Sequence, residues 1–113
     1  MNQTDSNLRT PQETQVVWIN FFTPKPGCLD AFIELQTSFL GDTKDFVPGW
    51  RGSRLHRALD GSAAIVMAVF DSRGDHERWL QTDAFARHRA KVSELVESFS
   101  GKHYEIVCEA GRI

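Results

Sequence analysis

Val16-Val17-Trp18-Ile19-Asn20-Phe21-Phe22-Thr23 is the run on which the reading of the fold turns. Its β-branched and aromatic residues predict a strand, and Pro24, Pro26 and Gly27 end it. Strand side chains alternate between two faces, so Val17, Ile19 and Phe21 point one way while Trp18, Asn20 and Phe22 point the other. Ala63 to Phe70 (AAIVMAVF) repeats the pattern, with Ala63, Ile65, Met67 and Val69 opposing Ala64, Val66, Ala68 and Phe70. A sheet of such strands needs cover on both faces, because a face that met water would be polar.

Working outward, Leu29, Phe32, Ile33, Gln36, Phe39 and Leu40 fall at helical spacing and predict a helix from about Cys28 to Leu40, ended by Gly41 and Asp42. Pro48-Gly49 is a turn signal before a second strand, Trp50 to Ala58. Asp60-Gly61 is a hairpin signal leading into the third strand. Ser72 and Asp75 resemble a capping box for a short helix, Gly74 to Leu80. Thr82 or Asp83 then caps a longer helix. Its stripe is Phe85, His88, Val92, Leu95, Val96 and Phe99, with Gly101 as its stop. His103 to Glu109 reads as the last strand. The order predicts an α+β, ferredoxin-like β-α-β-β-α-β sandwich. The helices suffice for one sheet face, so a homodimer packed through the other sheet face is the economical solution. Residues 15–113 form one domain, and residues 1–14, polar and containing Pro11, are expected to be a flexible arm.

The chain has 113 residues and a net charge of −2. Its 13 basic residues form no dense run, which argues against a nucleic-acid partner and against a polyanionic membrane surface. No stretch approaches the length of a membrane helix, and Met1 to Gln15 lacks the apolar centre of a signal peptide; the expected location is the cytoplasm. Cys28 and Cys108 read as two reduced thiols, with a single bridge between them as the alternative. There is no Gly-rich phosphate loop, GxSxG or HExxH, so no nucleotide cofactor is expected.

Asn20 is a side-chain amide within an apolar strand. Burying it unpartnered costs roughly 1–3 kcal/mol, so it bonds either a neighbouring backbone group or a ligand in a pocket. Trp79 offers an indole N–H on a flat platform near the end of the short helix. His88 lies on the apolar stripe of the long helix, where a lone histidine is more often a satisfied core residue than a base. Trp79 and His88 are nine residues apart across a helix break and can approach one pocket. Trp18, Phe22, Trp50, Phe70 and Phe85 suit either a core or a wall for a flat aromatic ligand. His56, Arg54 and Arg57 form a basic cluster on the second strand, read as a solvated face or as a gate for an acidic substrate.

The sequence Asn20-Phe21-Phe22-Thr23, followed by Pro26-Gly27, Pro48-Gly49-Trp50, Leu55-His56-Arg57-Ala58-Leu59-Asp60-Gly61, Phe70-Asp71-Ser72 and Phe85 with His88, resembles the antibiotic biosynthesis monooxygenase (ABM) superfamily over residues 15 to 110. The resemblance implies a dimeric α+β barrel and a monooxygenase acting on a small aromatic or planar substrate. One branch oxidises aromatic polyketides to quinones with dioxygen and no flavin, haem or metal. There an Asn and a Trp on the third strand are implicated; this sequence has Val66 and Phe70 at those places. A second branch degrades haem, and by that resemblance His88 would ligate iron, Trp79 would press on the macrocycle and Asn20 would bond the bound oxygen. Asn20 and Phe85-x-x-His88 also recur in members with no shown haem activity. The expectation is a cofactor-free monooxygenase with Asn20, Trp79 and His88 as catalytic residues. Trp18, Phe22, Trp50, His56, Phe70 and Phe85 are expected to bind substrate, with no metal unless haem binds His88. A non-enzymatic ligand-binding dimer is the further alternative.

Overall fold

β1 (Val16–Pro24) forms where the aromatic run predicts it. It pairs antiparallel with β3 (Ala64–Phe70) on one side and β4 (Val96–Tyr104) on the other, and β2 (Trp50–Arg57) pairs with β3. The sheet order is β2-β3-β1-β4. α1 (Leu29–Thr43) joins β1 to β2, and α2 (Arg73–Leu80) with α3 (Asp83–Ser93) joins β3 to β4. This is the ferredoxin-like α+β arrangement, with its second crossover divided between two helices. The structure is a computed structural model that describes residues 15–112. The arm expected at residues 1–14 lies outside the described residues. No described helix is long and apolar enough to cross a membrane.

Register decides which side chains meet the helices. Trp18 lies across from Ala68, Asn20 from Val66 and Phe22 from Ala64, and Ala64, Val66, Ala68 and Phe70 are all buried. The core gathers at the Phe22 end with Phe32, Val92 and Val96. Phe32 on α1 is 0% exposed, its ring centroid 4.6 Å from that of Phe22. Phe32→Ala is expected to cost about 3–5 kcal/mol through lost burial and the cavity left behind, a large share of the roughly 5–15 kcal/mol that holds a small domain. Urea denaturation would check it: an unchanged slope and a much lower midpoint are expected.

The opposite face carries Ile19, Phe21, Ile65, Met67 and Val69, with Phe21 50% exposed. These residues are apolar, and no described helix covers them.

Four expectations need correction. α1 runs to Thr43 rather than stopping at Leu40. A Gly within a helix costs only about 1 kcal/mol, and the ladder continues past it, with the Lys44 N–H donating to the Leu40 carbonyl at 3.1 Å. The long helix ends at Ser93, so Val96 and Phe99 belong to β4. The last strand is therefore Val96–Tyr104 and not His103 to Glu109. A bulge explains the helix-like interval of three between Val96 and Phe99. Thr23 pairs with Ser98 but Pro24 pairs with Val96, so Glu97 is an extra residue, and both apolar side chains stay on the helix side. Gly101 is consequently no helix stop. It sits in β4 opposite Asn20, where an added Cβ would run into the Trp18 indole. Cys28 and Cys108 are free thiols.

Candidate functional site

A cavity of about 280 Å³ opens between the sheet and all three helices. Trp18, Asn20, Phe22, Trp50, Phe70, Trp79, Phe85 and His88, all singled out in the sequence, line it. β1 supplies Asn20 because its even-numbered side chains face the helices, and its position between Trp18 and Phe22 places an amide within an aromatic wall. Gly101 lets the Trp18 ring lie flat against β4 and so leaves the cavity its depth.

The corner between α2 and α3 is fixed by Thr82. Its hydroxyl donates to the Trp79 carbonyl at 2.8 Å and accepts from the Phe85 N–H at 3.2 Å. This helix cap ties Trp79 to the start of the helix that carries Phe85 and His88. Trp79 stacks on Phe39, with centroids 5.8 Å apart, and meets Phe85 edge-on at 6.1 Å. Ser72 caps α2, accepting from the Asp75 N–H at 3.1 Å.

The polar groups behave differently from one another. Asn20 Oδ1 is buried without a hydrogen-bond partner among the described residues. Leaving such a group unsatisfied costs about 1–3 kcal/mol, and here it lies in the wall of an aromatic cavity. His88 is satisfied. Its Nε2 donates to the Gln36 carbonyl oxygen at 2.7 Å, and its ring lies flat on Phe39 with centroids 3.7 Å apart. Burial, helped by Lys91, pushes His88 down to about 4, so it is neutral near pH 7. Trp50 Nε1 donates to Ser53 Oγ at 2.8 Å. Arg89 stands over the Phe85 and Phe99 rings, 5.9 and 6.0 Å from their centroids; among the described residues it is the one permanent charge on the wall, and no carboxylate lines it.

His56 is not brought to the site. Its pairing with Ile65 turns it to the far face of the sheet, where it is exposed and its Nδ1 lies 3.3 Å from the Ile65 carbonyl. Arg54, opposite Met67, shares that face, and Arg57 pairs with Asp30 at 2.7 Å. The sequence reading missed Gln36, His76 and His103. His76 is three residues before Trp79 on α2, and positions i and i+3 share a helix face, so its place beside the cavity was available in the sequence. Its Nδ1 lies 2.8 Å from His103 Nε2.

Haem does not fit this arrangement. An iron ligand needs an imidazole lone pair facing open space, whereas the Nε2 of His88 is engaged by Gln36 and its ring face is covered by Phe39. Among the described residues, no three His, Cys, Asp or Glu side chains gather as a metal site.

The model of the antibiotic biosynthesis monooxygenase family matches residues 15–91. No curated protein gives a significant match. Among solved structures, Rv0793 from Mycobacterium tuberculosis is 22% identical, with 87% of this chain and 100% of that one covered at a TM-score of 0.76. Protein SO0527 from Shewanella oneidensis is 25% identical, with 88% and 96% covered at a TM-score of 0.76. A variant of SnoaB, a cofactor-independent oxygenase from Streptomyces nogalater, is 19% identical, with 81% and 92% covered at a TM-score of 0.73.

Proposed function

Because the chain belongs to the antibiotic biosynthesis monooxygenase family, we propose that it oxidises a small hydroxylated aromatic compound with dioxygen, using no flavin or metal. The observation that carries this reading is the unpartnered Asn20 Oδ1 in an aromatic cavity. A lone acceptor there recognises an O–H, and the rings around it suit a planar body. The SnoaB neighbour, described as a cofactor-independent oxygenase, supports the chemistry by analogy.

The substrate supplies the electrons. A phenol ionises in the cavity, its ring carbon para to the oxygen takes one oxygen atom, the other leaves as water, and a quinone results. The protein orients the ring, keeps water away and holds polar groups where charge develops. Asn20 holds the substrate oxygen; its amide turns readily about χ2, so it accepts from the hydroxyl and then donates to the phenolate. Trp79 and Phe85 confine the ring. His88, neutral and tied to Gln36, is a polar wall rather than a free base. Arg89 at the wall favours an anion.

Oxygen uptake by the purified protein with a panel of mono- and dihydroxynaphthalenes, with chelator and no added cofactor, tests the proposal. Uptake matched by quinone formation is expected. Binding without uptake for every compound would leave a ligand-binding protein. A Soret band on adding haemin, lost in His88→Ala, would restore the haem reading.

The open sheet face is proposed to meet the same face of a second copy. Ile19, Phe21, Ile65, Met67 and Val69 make a contiguous apolar surface of the kind that is rare on monomers. Met67→Arg places a charge at its centre, twice per symmetric pair, and is expected to convert dimer to monomer in sedimentation at micromolar concentration. A monomeric parent chain would refute the arrangement.

A further inference from the structure

We infer that His76 and His103 form a two-imidazole relay that carries a proton between a hydroxyl compound in the cavity and solvent. The inference rests on the reading of the cavity as a site for hydroxylated aromatics and supplies a step that reading lacks. A phenol buried between sheet and helices has to lose its proton somewhere. Among the described residues the wall has no carboxylate, Arg89 carries a permanent charge, and His88 has its Nε2 held by Gln36. His76 is the remaining group that can take it.

The geometry is that of a wire rather than of a chance contact. His76 is 3% exposed and lines the cavity, whereas His103, on β4, is half-buried and reaches solvent. The rings are joined by the 2.8 Å bond from Nδ1 to Nε2. Trp18 packs against both, at centroid distances of 4.7 and 4.9 Å, and Phe70 holds His76 at 4.7 Å. From the sheet, these two apolar rings press on the pair. The charges that act on it come from α2, with Glu77 felt by both rings and Arg73 by His103. Burial keeps both imidazoles below the usual histidine range, so each is neutral near pH 7 and able to accept.

With the shared proton on His76 Nδ1, His76 Nε2 is bare, and it has no hydrogen-bond partner among the described residues. The substrate hydroxyl gives its proton to that nitrogen. The Nδ1 proton crosses to His103 Nε2, and His103 Nδ1 releases its own proton to water. Both rings end neutral with their tautomers exchanged. Quinone formation later consumes a proton when the second oxygen atom leaves as water. A proton returning along the same path meets that need and resets the pair.

His103→Gln tests the relay, because its amide oxygen still accepts from His76 Nδ1 but cannot pass a proton on. With 1,5-dihydroxynaphthalene in dilute buffer, kcat is expected to fall by about 10²-fold with KM unchanged, and free imidazole is expected to restore it. Full activity in His103→Gln would reduce the pair to a positioning role and overturn the relay. Long-range proton–nitrogen NMR reads the same claim without turnover. The parent chain is expected to show His76 protonated at Nδ1 and bare at Nε2, with the Nε2 resonance moving when 4-nitrophenol is added. The opposite tautomer, or no movement, overturns the relay. The expected spectra with no oxygen uptake would retain the relay and overturn the monooxygenase proposal alone.

Discussion

An Asn20→Leu variant is expected to be more stable than the parent chain and about a hundredfold slower in oxygen uptake. The two changes have one cause. Leu matches Asn in shape but has no lone pair, so the substitution removes a buried acceptor that no described residue satisfies. Relieving an unsatisfied group of this kind returns about 1 kcal/mol or more. The same change deprives the substrate oxygen of its fixed partner, and losing one such preorganised contact typically costs about 10²–10³ in kcat. Urea midpoints and oxygen uptake on one preparation check both halves. A destabilised variant would mean that Asn20 holds the fold together. A stable and fully active one would remove Asn20 from the site.

The second large effect is acid sensitivity above the range where carboxylates titrate. His76 and His88 have ordinary values of 6.5 in the unfolded chain and about 4 in the fold, where burial disfavours the charged ring. Above pH 6.5 both rings are neutral in both states and contribute nothing. As pH falls from 6.5 toward 4, only the unfolded chain gains these protons, so stability declines by about 1.4 kcal/mol per pH unit for each ring. Below about 4 the folded chain is protonated too, and the decline from these rings levels off. Asp60 and Asp75 are held below their ordinary 3.8 by Ser62 and Arg78 respectively, so their effect lies lower still. Urea midpoints at pH 7, 6, 5 and 4.5 should therefore drop steeply across the histidine window. A flat profile down to pH 4.5 would contradict the burial of both imidazoles as charged-state penalties. His103 is depressed as well and adds to the decline, and His88→Leu should remove one ring's share of the slope.

How far the sequence could be read depended on whether a feature was local. The period-two alternation of β1 and β3 placed Trp18, Asn20 and Phe22 on one face, and Ser72 and Thr82 marked two helix starts by cap chemistry that needs only neighbours. The end of α3 was misread because the bulge at Glu97 gives Val96 and Phe99 the interval of a helix. Periodicity alone has no means of telling the two apart. Misplacing β4 then hid His103, since only the pairing of His103 with Trp18 brings that imidazole over to α2. Gln36 was read as one more position on the α1 stripe, because its partner lies 52 residues away. The place of His56 among Arg54 and Arg57 suggests a site residue, whereas the register with β3, invisible in the local sequence, turns it outward.

The cavity draws Asn20 from β1, Gln36 from α1, His76 from α2, His88 from α3 and Gly101 from β4. No fragment of the chain contains it, so a ligand for it binds the finished fold and ignores the unfolded chain. Occupancy is therefore legible as heat resistance: a compound present at a hundred times its Kd adds about 2.7 kcal/mol, enough to raise the melting temperature by about 10 °C. A melting screen of planar hydroxylated aromatics can thus find the natural substrate before any assay for its oxidation exists.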